Sequence, residues 1–188
     1  MYLISIYFDE QTEKRLQNLI NRVAESTGNT FMLDNQVPPH ITIASIETRQ
    51  EEAVIEKLEA IVKDLRASNI ELVSIGAFMP QVIYVEPVLS EYLHTLSVRL
   101  TEDFSRIENT ICSPQYLPFH WLPHCTIGKQ LSKEQMLEAF KVLQQHFVSL
   151  EGQVVRLGIA KTNPHREDRK STRLNSSHNV ISRMPSSA

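Results

Sequence analysis

The sequence is poor in cysteine and carries no excess of basic charge. Its two cysteines, Cys112 and Cys125, are not spaced like metal ligands or a redox pair, so we expect two reduced thiols in a cytoplasmic protein. The chain has 19 lysines and arginines against 22 aspartates and glutamates, a formal net charge of -3. Proteins that bind long nucleic acids need a basic surface to neutralise the phosphates. That class is therefore disfavoured, whereas a short or small anionic ligand is compatible.

The sequence also lacks long apolar runs and several familiar motifs. No stretch approaches the roughly 18 consecutive apolar residues of a membrane-spanning helix. The N-terminal segment MYLISIYFDE has no basic region ahead of its apolar run, unlike a signal peptide. We therefore expect a soluble protein with no membrane partner. There is no Walker loop, G-x-S-x-G or G-x-G-x-x-G, so nothing supports ATP hydrolysis, serine-hydrolase chemistry or dinucleotide binding.

What the sequence does contain is the periodicity of alternating strands and helices. With 188 residues and 41% hydrophobic side chains, the chain can bury one sizeable core but is too short for several independent domains. Apolar periods of two and of 3.6 residues predict strands and amphipathic helices. The predicted strands are 2–8, 40–46, 70–78, 82–85, a strand at His124, and 154–160. The predicted helices are 12–25, which Gly28 ends, 49–65, 91–104 and 133–147.

The order of elements repeats, and the repeat is tightest after two histidines. Thr48 with Glu51 and Ser132 with Gln135 both fit a capping box, in which a hydroxyl and a later carboxylate or amide satisfy amide groups at a helix start. Each pair begins eight residues after a histidine. The repeat predicts two copies of a β-α-β-α-β unit.

The predicted domain spans residues 1–167, with a first lobe at about 1–79 and a second at about 80–167. The tail at 168–188, DRKSTRLNSSHNVISRMPSSA, is rich in Ser, Arg and Asn without sustained periodicity. We expect it not to pack. It is interpreted as a translated adaptor or read-through end, with a native disordered tail as the alternative.

A histidine followed two residues later by a threonine marks both repeated strands. The two segments read PPHITIAS and LPHCTIGK. Residues i and i+2 share one face of a strand, so His40 and Thr42 point together, as do His124 and Thr126, while the apolar residues between them face the core. Packing of the two halves about a pseudo-two-fold axis would place two imidazoles and two hydroxyls around one groove.

This set of groups suits phosphoryl chemistry without a metal or another cofactor. An imidazole with a pKa near ~6.5 takes or gives a proton around neutral pH, so one ring serves as base and the other as acid. Threonine hydroxyls can donate to the non-bridging phosphate oxygens. A single His-x-Thr is more often a structural or surface histidine. A second copy, also preceded by proline and at the same offset from a helix cap, favours the functional interpretation.

The paired motifs PPHITIAS and LPHCTIGK resemble those of the two-histidine phosphoesterase superfamily. Residues 1 to about 167 are similar to its 2′-5′ RNA ligase or RNA 2′,3′-cyclic phosphodiesterase branch, and IGAF followed by QVIYVEP adds to the likeness. The resemblance implies a bilobal α+β fold with two antiparallel sheets around a central groove. It also implies opening of a 2′,3′-cyclic phosphate to a 2′-phosphate, with reversible 2′-5′ ligation in some members.

The resemblance also implies a role for each motif residue. His40 would be the acid that protonates the leaving 3′ oxygen, His124 the base that activates water, and Thr42 and Thr126 the phosphate holders. Symmetry alone does not decide which histidine is the acid and which is the base. The implied partner is an RNA 2′,3′-cyclic phosphate end or a cyclic nucleotide, bound by a monomer. Relatives continue past LGIAKTNP with one more short strand, so we expect the second lobe to lack an edge strand.

Residues near the second motif are weaker candidates. Trp121 lies three residues before His124 and could stack on a base. Lys129 could approach a phosphate, although a solvated strand end is the simpler interpretation. His120 and His124 are four apart, but Pro123 lies between them and the glutamate of H-E-x-x-H is missing. We therefore predict no metal site.

Two alternatives to this function stay open. One is an enzyme of the same kind that acts on a small cyclic nucleotide from RNA or ADP-ribose processing. The other is a non-catalytic nucleotide- or RNA-binding module that uses the same groove. Catalysis predicts that the His40 and His124 rings face each other roughly 5 to 9 Å apart, because each must hydrogen-bond to one phosphate.

Overall fold

Strands and helices alternate along the chain in the computed structural model, which describes residues 1–163, 166–173 and 181–183. The strands up to the second motif are β1 (Tyr2–Phe8), β2 (Ile41–Glu47), β3 (Ser68–Phe78), β4 (Val82–Pro87), β5 (Ile111–Cys112) and β6 (Cys125–Gly128), and those after it are β7 (Leu150–Asn163), β8 (Arg166–Arg173) and β9 (Ile181–Arg183). The helices are α1 (Glu10–Thr27), α2 (Phe31–Asp34), α3 (Glu51–Asp64), α4 (Glu91–Ser105) and α5 (Lys133–His146). The predicted α+β fold is confirmed, and its main elements agree with the prediction to within a few residues at each end.

The strands form one antiparallel path in the order β5-β2-β1-β7-β3-β4-β6. β3 makes the path continuous, because its 11 residues pair with β7 over 68–72 and with β4 over 72–78. The register shifts between Leu72 and Ser74, where the strand passes from one partner to the other. The two sheets that were expected are therefore joined through β3, and the division into two lobes stays a prediction.

Helices from each half of the chain cover strands of the other half. α1 packs against α5 and β6, whereas α4 packs against β2. α1 begins at Asp9, whose side chain accepts a hydrogen bond from the Thr12 N–H at 3.0 Å, and ends at Gly28 in the left-handed conformation (φ 69°). The apolar face between these caps lies in the core shared by both halves.

The predicted capping box at α5 is confirmed. Ser132 Oγ accepts from the Gln135 N–H at 3.2 Å, and Gln135 Oε1 accepts from the Ser132 N–H at 2.9 Å. Two amide groups at the helix start are thereby satisfied within one turn.

The predicted capping box at α3 is wrong. Gln50 is the N-cap and makes no side-chain capping bond, while Thr48 Oγ1 accepts from the Gln50 N–H at 3.1 Å in the preceding turn. The Glu51 carboxylate accepts hydrogen bonds from the Tyr2 hydroxyl at 3.0 Å and from Lys161 Nζ at 2.6 Å. The Glu51 carboxylate therefore accepts hydrogen bonds from residues on β1 and β7, whereas the sequence spacing had predicted that it would cap the helix.

Removing the α5 cap should destabilise the protein measurably. We expect Ser132→Ala to lower the free energy of unfolding by about 1 kcal/mol, because an N-cap hydroxyl is lost. Gln50→Ala is the control, since the Gln50 side chain makes no capping bond, and should stay within about 0.5 kcal/mol of the parent. Urea denaturation of the three proteins measures the difference, and equal losses in both variants would contradict the capping assignment.

Part of the tail forms strands, which differs from the prediction. β8 pairs antiparallel with β7 over Arg156 to Asn163, beyond the stretch of β7 that β3 occupies, and β9 pairs with β8. Residues 168–173 and 181–183 thus have regular structure, and β8 lies where an edge strand was expected to be missing. Residues 174–180 and 184–188 lie outside the described residues, and the origin of the tail stays a prediction.

Within the ranges that the structure describes, no helix combines the length and the apolar character needed to cross a bilayer.

Candidate functional site

The chain before the second motif lies along the outer edge of β2, and this brings the two motifs together. The Trp121 indole N–H donates to the Thr42 carbonyl at 3.0 Å. The His40 backbone N–H donates to the Cys125 sulfur. β6 consequently contacts β2, although the two strands are far apart in the hydrogen-bonded order. These two contacts hold the segments of the two motifs against each other, and the shared groove between their side chains stays a prediction.

Both histidines make the same local hydrogen bond. His40 Nδ1 lies 2.8 Å from the Pro38 carbonyl oxygen, and His124 Nδ1 lies 2.8 Å from the Leu122 carbonyl oxygen. A carbonyl oxygen only accepts, so each Nδ1 carries a proton and donates it. This fixes the tautomer of the neutral ring. Proton exchange with a substrate would consequently use Nε2 in both cases.

Two aromatic rings pack against His124. The centroid of Phe78 lies 4.8 Å from that of the imidazole, nearly perpendicular to it, and the centroid of Tyr84 lies 5.2 Å away. Tyr84 reaches this position because Gly76, its partner on β3, has no side chain. A Cβ built at Gly76 would lie 2.5 Å from the Tyr84 hydroxyl. The glycine of the IGAF segment therefore makes room for a ring that holds His124.

Burial lowers the pKa of His124 below its ordinary value, because a partly desolvated site disfavours the charged imidazolium. The hydrogen bond to Leu122 and the negative charge of Glu86 act in the opposite direction without cancelling the effect. His124 is therefore neutral at neutral pH, which is the form a general base requires.

The lowered pKa predicts how stability changes with pH. Below a pH of about 6.5, the ordinary pKa of histidine, His124 binds a proton in the unfolded chain but stays neutral in the folded protein. Protonation then favours the unfolded state, so we expect this contribution to the free energy of unfolding to fall as the pH drops from about 6.5 through the lower folded pKa. Urea denaturation at a series of pH values measures it. His124→Asn should lack this contribution, and a constant difference between variant and parent across the range would contradict it.

The surroundings of His40 differ from those of His124. The Tyr7 ring lies 6.0 Å from the His40 ring, and the Arg156 guanidinium lies 5.1 Å from the Tyr7 centroid. Glu13 holds Arg156 at 3.4 Å. The aromatic neighbour of the first imidazole therefore carries a cation against its own ring, whereas the carboxylate of Glu86 acts on the second imidazole.

The two threonines occupy similar strand positions at different depths. Thr42 lies opposite Ser5 on β1, is 7% exposed, and has its Oγ1 3.2 Å from Ser5 Oγ. Thr126 lies opposite Tyr84 on β4 and is half-buried. If Ser5 donates to Thr42, the Thr42 hydroxyl hydrogen is available to a second acceptor. Sequence reasoning missed Ser5, because only the pairing of β1 with β2 identifies it.

The weaker candidates have other surroundings. Trp121 is 9% exposed and its N–H is bonded to the Thr42 carbonyl, so its ring offers little surface to a base. Lys129 is exposed after the end of β6, with Nζ 5.8 Å from the Phe31 centroid. Base stacking by Trp121 and phosphate binding by Lys129 stay predictions. Among the described residues, no group of three or more His, Cys, Asp or Glu is placed to hold a metal ion.

Comparison with known proteins identifies a matching family and solved structures with the same fold. The model of the 2′-5′ RNA ligase superfamily matches residues 9–166. Three solved structures share the fold: Escherichia coli LigT with 3′-AMP (16% identity, TM-score 0.57, 96% of each chain covered), with phosphate (13%, 0.55, 97% of each), and with ATP (13%, 0.52, 97% of each). Among curated proteins, no match is found.

Proposed function

The chain belongs to the 2′-5′ RNA ligase superfamily, and we propose that it is a metal-independent phosphodiesterase acting as a cytoplasmic monomer. It opens the 2′,3′-cyclic phosphate of an RNA end or a nucleotide to a 2′-phosphate. The observation that carries the proposal is the pair of imidazoles on neighbouring segments, each with its Nδ1 bound to a carbonyl 2.8 Å away. Because Nδ1 is engaged in the same way in both rings, we assign proton transfer to Nε2 of each imidazole, one on either side of the phosphate.

The proposed reaction is an in-line displacement at phosphorus. His124 Nε2 takes a proton from water as the water oxygen bonds to phosphorus. The bond from phosphorus to the 3′ oxygen breaks, and His40 Nε2 gives that oxygen a proton. The products are a 2′-phosphate and a 3′-hydroxyl, with His124 protonated and His40 neutral until both exchange protons with solvent. Thr42 and Thr126 donate to the non-bridging oxygens as charge develops.

The surroundings of His124 support its assignment as the base and that of His40 as the acid. Burial lowers the pKa of His124 and keeps its ring neutral, as a base must be before the reaction. The Glu86 charge near this ring favours the imidazolium that forms when water is deprotonated. Both effects suit His124 as the base, which leaves the acid's role to His40.

The ligands of the structural relatives suit this substrate class. Escherichia coli LigT has been crystallised with 3′-AMP, ATP and phosphate, which are nucleotides and the anion at the centre of the proposed reaction. If the 5′-hydroxyl of a second RNA replaced water, the same groups would form a 2′-5′ linkage. Ligation is therefore proposed as the companion activity of the same groove.

The deciding assay offers the purified protein a panel of phosphates. The panel contains adenosine 2′,3′-cyclic phosphate, an oligoribonucleotide with a cyclic phosphate end, a 2′-5′-linked dinucleotide, and a cyclic phosphate derived from ADP-ribose. We expect 2′-phosphate products from the 2′,3′-cyclic phosphates of the panel, with rates unchanged by EDTA. A 3′-phosphate product or a loss of activity in EDTA would contradict the mechanism. Tight binding without turnover would indicate a binding module.

A further inference from the structure

The aromatic rings that pack on the two imidazoles differ in exposure. Tyr7 lies beside His40, while Phe78 and Tyr84 lie beside His124. Tyr7 is 7% exposed and Tyr84 is 5% exposed, but Phe78 is 40% exposed. Of these three rings, Phe78 alone presents a large aromatic surface to solvent while touching a candidate acid–base group.

The position of Phe78 is set by its neighbours. It is the last residue of β3, and its ring centroid lies 4.6 Å from that of Tyr84, so Tyr84 and His124 together fix one part of the ring. The next residue, Met79, is 74% exposed and extends the apolar surface. Single exposed apolar side chains are ordinary. Ligand sites are lined predominantly by apolar and aromatic side chains, and an aromatic ring offers a face on which a flat ring can stack.

Resting on the proposed function, we propose that Phe78 is the platform on which the nucleobase of the cyclic nucleotide stacks. A phosphate held between the two Nε2 atoms carries its base only one ribose away, which is within reach of a ring that touches His124. Stacking tolerates every base because each has a π-face. The larger purine ring system covers more of the platform than a pyrimidine. The site therefore takes nucleoside cyclic phosphates and RNA ends of any sequence, and it favours purines.

The test compares a substrate that has a base with one that has none. The pair is adenosine 2′,3′-cyclic phosphate and methyl riboside 2,3-cyclic phosphate. We expect Phe78→Ala to lower kcat/KM for the adenosine substrate by about 5- to 150-fold, mainly through KM. The loss with the base-free substrate should be smaller by this factor, because that substrate reports only the effect of the substitution on His124. Phe78→Trp should restore the preference for the adenosine substrate.

Matched variants separate stacking from other effects. Phe119→Ala removes a ring that is 89% exposed and packs on the ring of His94, and it should change the rate with neither substrate. If Phe78→Ala fails to fold by circular dichroism, Phe78→Leu keeps an apolar side chain without a π-face and gives the same comparison. Equal losses on both substrates would mean that the ring acts only through His124, and would overturn the platform.

A separate measurement distinguishes failure of the proposed function from failure of the stacking proposal. If the parent protein turns over no cyclic phosphate, the phosphodiesterase proposal fails, and equilibrium binding of adenosine 2′-phosphate and ribose 2-phosphate tests the platform. Tighter binding of the adenosine compound, lost in Phe78→Ala, would support stacking without turnover. Equal affinity of the parent for both compounds would overturn it.

Discussion

Replacing either His40 or His124 with alanine should slow cyclic phosphate opening by about 10²- to 10⁴-fold, the usual contribution of a positioned acid or base. Each substitution removes the Nε2 to which we assign a proton transfer, whereas the threonines and Phe78 are left in place. Binding of a 2′-nucleotide product should consequently survive in both variants. The double variant should lose less than the product of the two single effects, because the two proton transfers belong to one reaction. Single-turnover rates and product affinity measure these expectations.

The controls for these variants are other histidines of the same chain. His120 is exposed in the segment before the second motif, and His146 lies at the end of α5 beside Arg22. His120→Ala and His146→Ala should keep full activity. A loss below tenfold in His40→Ala or His124→Ala would exclude the two-histidine mechanism. So would a loss of product binding as large as the loss of rate.

Removing the threonine hydroxyls should have the second largest effect. We expect Thr42→Val and Thr126→Val each to lower kcat by about 10²- to 10³-fold, the range seen when one donor to a developing oxyanion is lost. Thr42→Val should also lower the free energy of unfolding by about 1 to 3 kcal/mol, because the buried Ser5 hydroxyl loses its partner. Steady-state kinetics and urea denaturation measure the two effects separately.

Serine variants are the matched controls, since they keep the hydroxyl. Thr42→Ser and Thr126→Ser should retain most of the activity. The stability loss should be confined to Thr42→Val, because Thr126 is half-buried and lies opposite Tyr84 rather than a second small hydroxyl. Valine variants as active as the serine variants would show that neither hydroxyl holds the phosphate.

The elements of the fold were predictable because their signals are local. The α5 capping box needs only Ser132 and Gln135, three residues apart, and it forms as expected. The same spacing failed at α3, because Glu51 bonds to Tyr2 and Lys161 on distant strands. Likewise, the period of β3 predicts a strand but does not reveal that one strand pairs with two partners in succession.

The candidate site was predicted from the repeated motif, and the roles of its residues stay predictions. His40, Thr42, His124 and Thr126 follow from two similar segments, and the contact of β2 with β6 brings those segments together. The supporting residues left no such signal. Ser5 adjoins Thr42 only through strand register. Other supporting residues adjoin the histidines only through packing, and they are Tyr7, Gly76, Tyr84 and Arg156.

Because α1 and α4 each pack on a strand from the other half of the chain, cutting the chain between the halves should disrupt both. A break in the hairpin between β3 and β4 would leave α1 on one fragment and β6, which it covers, on the other. The same break would separate α4 from β2. Each fragment would then expose the apolar face of a helix, so neither half is a self-sufficient folding unit. The placement of the two imidazoles accordingly depends on both halves of the chain.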